Sequence, residues 1–328
     1  MQRVPFATVN VFASALGEGN PAGVVRLARL ADLSSKAMQR VAAEIGFTAT
    51  AFVAPTAGRW DIRWFSATSE LSICGHATIG AARLLLDCGV VAPITGCLNP
   101  SNRLHFHAKT SGHDLFVSGG GSENHSQLSL ILPSEPARAD AVRDRNAVIE
   151  ALRVPASSVR FVGANSWDTL VELDSAGLVE ALEPCQKRLA ELPTRGVIAT
   201  AAGTSARCPE AQFVSRFFAP SAGIPEDPAT GSAQCALGPY WSAALEPQAE
   251  GLVGFQASRR GGRMYLRMAE QAICHEKQHG TAPRPVVRLT ADTLMVMDGT
   301  MATGVSSLHP TPSETLAVTS DRALSKHR

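Results

Sequence analysis

The chain of 328 residues has no excess of either charge: 30 basic side chains against 29 acidic ones leave a formal net charge of +1. Without a positive surplus there is no electrostatic footprint for nucleic acid or for an anionic membrane surface. No apolar run is long enough and free enough of charge to span a bilayer. The opening MQRVPFATVN has no basic segment followed by an apolar core, so a soluble, cytoplasmic protein is expected. The cysteines (Cys74, Cys88, Cys97, Cys185, Cys208, Cys235, Cys274) are odd in number, and no two form a CxxC pair. That excludes a disulfide framework and a zinc knuckle, and predicts free thiols, most of them small core residues. Neither a P-loop nor a GxGxxG fingerprint occurs, so no nucleotide cradle is expected.

What is present is a 45% hydrophobic, 18% charged composition that can fill real cores. The length exceeds what one core serves, which predicts two domains. Strand patterns open the chain at RVPFATVNVF and after the turn in GEGNPAGVVRL. Ser34 or Ser35 can cap a helix with Met38, Val41, Ala42 and Ile45 on one face and Gly46 as its stop. TATAFVAP and RWDIRWF follow as strands; Trp60, Ile62 and Trp64 alternate with polar residues. CGHATIGAARLLLDCG (74–89) reads as a helix with almost no charged face, which belongs inside a structure, wrapped by strands. GGGSENHSQ (119–127) is the linker candidate, and 269–283 looks like an inserted helix or loop. The second half repeats the grammar. Gly231-Ser232-Ala233, like Gly75-His76-Ala77, follows a strand and loop and opens a small-residue helix, a weak internal repeat.

Two glycine-led helix starts facing each other would bind an anion. The first amides of a helix lack intrahelical acceptors, the dipole adds partial positive charge, and glycine lets the backbone come close. A small carboxylate fits better than a nucleotide, with Thr78, Thr230 and Ser232 as added hydroxyl donors. The plain alternative is that these glycines only permit tight strand-to-helix turns. His76 is a candidate ligand contact or a hydrogen bond within its own turn. Asp227 is an acid/base candidate or the holder of the DPATG turn. His105 and His107 share a strand face, and His275 and His279 have helical spacing, but a third ligand such as adjacent Cys274 would point elsewhere, so no metal is expected.

GNPAGVV (19–25), MQRVAAEIGFTATAFVAP (38–55), FSATSELSICGHATIGAARLL (65–85) and FVSRFFAPSAGIPEDPATGSAQCALGPYW (213–241) resemble the PhzF-like family, named after the phenazine-biosynthesis isomerase. The resemblance implies a diaminopimelate epimerase-like α/β fold. Its two similar lobes are each a curled mixed sheet around a central helix, with the site in the interlobe cleft. On that basis residues 1–122 with a returning 299–312 form the first lobe, 123–298 the second, and 313–328 a tail. The resemblance also implies a homodimer and isomerase or epimerase chemistry: proton transfer on a small carboxylic acid, without cofactor.

The family's catalytic glutamate sits in a Ser-Glu-Thr-type stretch that here reads Thr48-Ala49-Thr50, so Ala49 holds the place of the acid. Gln234 likewise stands where the family often has histidine. The cleft positions that match are Gly75, His76, Asp227, Thr230, Gly231 and Ser232, and Thr48 and Thr78 are further substrate-binding candidates. Cys74 resembles the first catalytic cysteine of related epimerases and proline racemases. At a helix start its thiol could ionise and act as a base; otherwise it is a buried residue closing the cleft floor. An inactive carboxylate-binding protein on the same fold is the alternative.

Overall fold

A computed structural model describes residues 3–92, 103–119, 126–245, 251–270 and 285–303. The expected tail, the core of the linker candidate, most of the 269–283 insertion, and Cys97, Cys274, His275 and His279 lie outside the described residues.

The first half runs β1 (Arg3–Val11), β2 (Asn20–Arg26), α1 (Ser35–Ile45), β3 (Ala49–Thr56), β4 (Arg59–Phe65), β5 (Glu70–Leu71), α2 (Gly75–Asp87), β6 (Leu104–Ala108), β7 (Asp114–Gly119) and β8 (Gln127–Pro133). The second runs α3 (Arg145–Leu152), β9 (Val159–Ala164), β10 (Asp168–Leu173), α4 (Ala176–Glu180), α5 (Gln186–Glu191), β11 (Gly196–Ala202), β12 (Phe213–Ala219), β13 (Ile224–Asp227), α6 (Gln234–Ala244), β14 (Leu252–Gln256), β15 (Gly262–Glu270) and β16 (Pro285–Ala302).

Local signals decide many of these elements. The Ser34 hydroxyl caps α1 by accepting from Ala37 N, and Gly46 ends it in the left-handed conformation. Met38, Val41 and Ala42 are its buried face, as their spacing predicts. In β4, Trp60, Ile62 and Trp64 are the buried alternation. The helix α2 is buried along nearly its whole length. A Cβ at Gly80 would come within 3.3 Å of Ala22 Cβ and 3.6 Å of Val9 and Val24, so the missing side chain is what lets α2 lie against β1 and β2.

The weak repeat of the sequence is a strand-for-strand repeat of pairing. β1/β2, β3/β4, β6/β7 and β7/β8 are antiparallel, while β2/β3 and β4/β6 are parallel. The second half follows the same order: β9/β10, β11/β12, β14/β15 and β15/β16 antiparallel, β10/β11 and β12/β14 parallel. The last strands of the two halves, β8 and β16, pair with each other, joining everything into one 16-stranded sheet; β8, which the expected boundary at 122/123 put in the second lobe, completes the first by pairing with β7. Beyond Asp292, β16 continues along β1, pairing Thr293 with Val11 through to Ala302 with Arg3, and so closes the first lobe around α2. This return begins at Thr293, ahead of the 299–312 stretch expected for it.

The second central helix differs in one respect from the sequence reading. The α-helical span begins at Gln234, not at Gly231. Gly231–Ala236 form a tighter lead-in turn, with Gln234 N donating to Gly231 O and Cys235 N to Ser232 O. Inside α6, Pro239 leaves the Cys235 carbonyl without its helical donor, and Glu135 N supplies one at 2.8 Å.

Leu130 of β8 and Leu289 of β16 are register partners, both fully buried. Leu130 packs under Gly75 and Leu289 under Gly231. The two lobes therefore share packed side chains where their helix starts meet. Leu130→Ala and Leu289→Ala should each cost about 2–5 kcal/mol in urea denaturation. Because the two side chains abut, the double variant should depart from additivity by more than about 0.5 kcal/mol; simple additivity would mean two independent cores.

Candidate active site at the seam of the lobes

The two glycine-led turns face each other. A Cβ built on Gly75 would lie 3.9 Å from Gly231 Cα, and one built on Gly231 would lie 3.8 Å from Gly75 Cα. Gly75 is the first residue of α2, and Gly231 opens the turn into α6. Two helix entrances from two lobes thus come together in one place, and the partial positive charge of both favours a small anion there.

Around this point the structure gathers Cys74, His76, Thr48, Asn20, Asp227 and Thr230 in one hydrogen-bond network, with Ser232 beside it in a separate one with Arg195 and Asp168. Asp227, only 6% exposed, accepts from Thr230 Oγ1 at 2.5 Å and from Asn20 Nδ2 at 2.8 Å. Thr48 Oγ1 donates to Asn20 Oδ1 at 2.8 Å, and the same oxygen stands 3.4 Å from His76 Nε2. Cys74 Sγ lies 3.5 Å from His76 Nδ1. With the Thr48 hydrogen committed to Asn20, the ring contact is satisfied by a proton on Nε2, which leaves Nδ1 to accept from the Cys74 thiol. One directed chain of donors then runs from Cys74 through His76, Thr48 and Asn20 to the Asp227 carboxylate, crossing from one lobe to the other.

Burial sets the charge states. Desolvation lowers the His76 pKa to about 4, which keeps the imidazole neutral at neutral pH. Desolvation also raises Asp227 to about 6, against the Thr230 and Asn20 hydrogen bonds and the nearby Arg195 charge, which favour the carboxylate. Of the two readings of Cys74, a thiolate base or a buried residue, burial favours the second. Its thiol is pushed up to about 12, because burial outweighs the backbone hydrogen bond at the helix start.

Some candidates hold the site rather than face it. The Thr78 hydroxyl donates back to Cys74 O at 2.7 Å, and its side chain is fully buried. Thr230 spends its hydroxyl on Asp227 and its amide on Gln256 Oε1. Ser232 Oγ accepts from Arg195 Nη2 at 3.1 Å and keeps its own hydrogen. Ala49 is fully buried at the start of β3, paired with Ala22. Gln234, 1% exposed, donates to Thr230 O while its Oε1 has no partner.

Three participants were not singled out from the sequence. Asn20 was visible only as part of GNPAGVV. Arg195 was visible only as the first residue of the strand pattern RGVIAT, and Gln256, which donates to Asp227 O at 2.6 Å, lies in a segment with no local signal; both reach the site through long-range folding. Outside the site, His105 and His107 both contact Asp114 Oδ1, at 2.8 and 2.9 Å, so these histidines share a carboxylate.

The raised Asp227 value has a consequence for stability. The folded state binds this proton more tightly than the unfolded chain, whose ordinary value is 3.8. The associated stability is complete below that value and is lost as pH rises through about 6. Asp227→Asn carries no such loss. Its stability relative to wild type should therefore improve by about 3 kcal/mol between pH 3.5 and pH 8, at about 1.4 kcal/mol per unit. Denaturant titrations across that range measure it; a difference independent of pH would mean an ordinary solvated aspartate.

Comparison with known proteins shows the family and the fold. The profile of the family described as Phenazine biosynthesis-like protein matches residues 9–299. An uncharacterized isomerase of Halalkalibacterium halodurans is 33% identical over 276 residues, covering 83% of this chain and 94% of its own. Another, of Pseudomonas aeruginosa, is 36% identical over 271 residues, covering 83% and 93%. A solved phenazine biosynthesis protein of the PhzF family from Enterococcus faecalis superposes with a TM-score of 0.73 at 27% identity, over 92% of this chain and 100% of that one. A probable proline racemase from Agrobacterium radiobacter shares the fold alone, with a TM-score of 0.54 at 10% identity over 94% of each chain. The chain belongs to the phenazine biosynthesis-like (PhzF) family and has the two-lobed fold that this family shares with epimerases.

Proposed function

We propose that the protein is a cofactor-free isomerase that moves a proton on a small carboxylic acid, with Asp227 as the group that takes and returns it. The observation that carries this reading is the meeting of Gly75 and Gly231 beside a buried aspartate raised to about 6. A substrate carboxylate held over the meeting point of the two helix entrances has its charge spread onto backbone dipoles. That makes the neighbouring C–H more acidic, because the negative charge developing on deprotonation is stabilised where it forms. An aspartate with a pKa near the working pH is both a fair base and, once protonated, a fair acid.

The position of the family's glutamate is proposed to be Ala49, whose methyl group carries no proton. Cys74 is a weak base at about 12, and its hydrogen is directed at His76. One base then remains. A single base that removes a proton from one carbon and returns it to another on the same face shifts a double bond. Inversion of a stereocentre needs groups on opposite faces, so isomerisation is favoured over epimerisation. His76, neutral, and Thr48 serve to hold Asn20 and Asp227 in place. The homodimer that the resemblance implies remains part of this proposal, with sedimentation as its check.

In D₂O, with candidate unsaturated acids including a dihydroxyanthranilate, wild-type protein should introduce deuterium at a substrate carbon. Asp227→Asn should lower that rate by at least about 100-fold. Ligand-induced thermal stabilisation of wild type with no exchange would instead identify an inactive carboxylate binder, the reading that the Ala49 substitution favours. Ala49→Glu, in a variant whose melting curve shows it folded, should raise exchange by at least about tenfold. A folded variant with no gain would mean that the cleft has departed from the family's shape as well as from its acid.

A further inference from the structure

Arg195, between α5 and β11, is held in an unusually fixed position for an arginine at a cleft. Its Nε and Nη2 donate to Asp168 at 2.9 and 2.5 Å, and that carboxylate is 1% exposed. Nη2 also donates to Ser232 Oγ at 3.1 Å, the residue that follows Gly231 in the cradle. The guanidinium lies near the faces of Trp167 and Phe217, at 5.9 and 5.6 Å from the ring centroids. Backbone bonds from Arg195 N and the Thr194 hydroxyl to Trp167 O fix the loop that carries it.

A guanidinium has five N–H donors. Three are used on Asp168 and Ser232, while Nη1 makes no hydrogen bond among the described residues. The side chain is nonetheless 33% exposed. Its charge is felt across the seam, where it lowers the pKa of both Asp227 and Cys74. If Arg195 served only to neutralise Asp168, its whole edge could be buried. Instead the buried carboxylate fixes the guanidinium so that both Nη1 hydrogens are left over on the same group whose Nη2 reaches Ser232 beside the cradle, free to donate to an oxyanion.

We infer that Arg195 binds a second anionic group of the ligand, so that the molecule taken by this cleft is a small dicarboxylate or similar dianion, one end on the Gly75–Gly231 cradle and the other on Nη1. This rests on the cradle being a carboxylate site, as proposed above, and deepens it by naming the substrate class. Asp168 is a positioning residue: it does not touch the ligand but fixes which donors Arg195 presents.

The test compares acids of matched skeleton, benzoate against phthalate and butyrate against succinate, by isothermal titration calorimetry at pH 7.5. Wild type should bind at least one dicarboxylate about tenfold or more tighter than its monocarboxylate partner. Arg195→Gln alone would leave the buried Asp168 unpaired and could unfold the protein. The informative variant is therefore Asp168→Asn/Arg195→Gln, in which dicarboxylate affinity should fall at least about tenfold further than monocarboxylate affinity, so that the dicarboxylate advantage disappears. Arg195→Lys, which keeps Asp168 paired but loses the fork, should show a reduced advantage and serves if the double variant does not fold. Equal binding of both acids by wild type overturns the inference, as does an advantage that survives in the variants. So does an equal loss for both acids, which would put Arg195 on the cradle carboxylate. If wild type binds no monocarboxylate or dicarboxylate at all, the cradle reading itself fails; monocarboxylate binding without a dicarboxylate preference overturns only the assignment of Arg195.

Discussion

The site depends on how closely two backbones can approach. Gly75 and Gly231 meet across the lobe boundary with room for hardly more than one methyl group between them. Two larger side chains there would separate the helix entrances and part the two partial positive charges that make the place attractive to an anion. The approach is held from below by Leu130 and Leu289, opposed on the two strands that the lobes share. A loose hinge could not maintain it. A continuous sheet, closed on the first-lobe side by the long β16, can.

Burial at this seam decides the protonation states, and it does so against simpler expectations. A thiol at a helix start ought to ionise more easily, yet Cys74 moves the other way, since removing the charged form from water costs more than one turn of partial charges returns. The same effect keeps His76 neutral and lifts Asp227. Asp227 is ionised near neutral pH only because Asn20, Thr230 and Arg195 oppose its desolvation. The protein thus carries a destabilising carboxylate in its interior near neutral pH, a conflict of the kind found at functional sites.

The two halves repeat one pattern of pairing, but they are no longer equivalent. The first lobe closes through β1 and β16 and starts its central helix directly at Gly75. The second leads into its helix through a tight turn and adds what the first lacks: Asp227 at a strand end, Gln256 bracing it, and an arginine fixed by a buried carboxylate. Duplicated architecture supplies the symmetric cradle, and divergence of the loops supplies the asymmetric chemistry placed around it.

Elements governed by near neighbours in the chain could be read directly. Ser34 and Gly46 bound α1, alternation marks β4, and the uncharged surface of 74–89 announces a helix wrapped by strands. The motif residues Gly75, His76, Asp227 and Gly231 carried enough local character, and enough family likeness, to be chosen as the site. Their partners could not be found this way. Asn20 lies 207 residues from Asp227, and Arg195 lies 37 from Ser232, with nothing between to mark the connection. The sequence by itself determined the strands, the caps and the two glycine-led turns, since each follows from steric and hydrogen-bonding preferences over a few residues. Only the tertiary structure decided which residues share the seam and which of them are ionised, because desolvation and charge pairing depend on what surrounds a group in space.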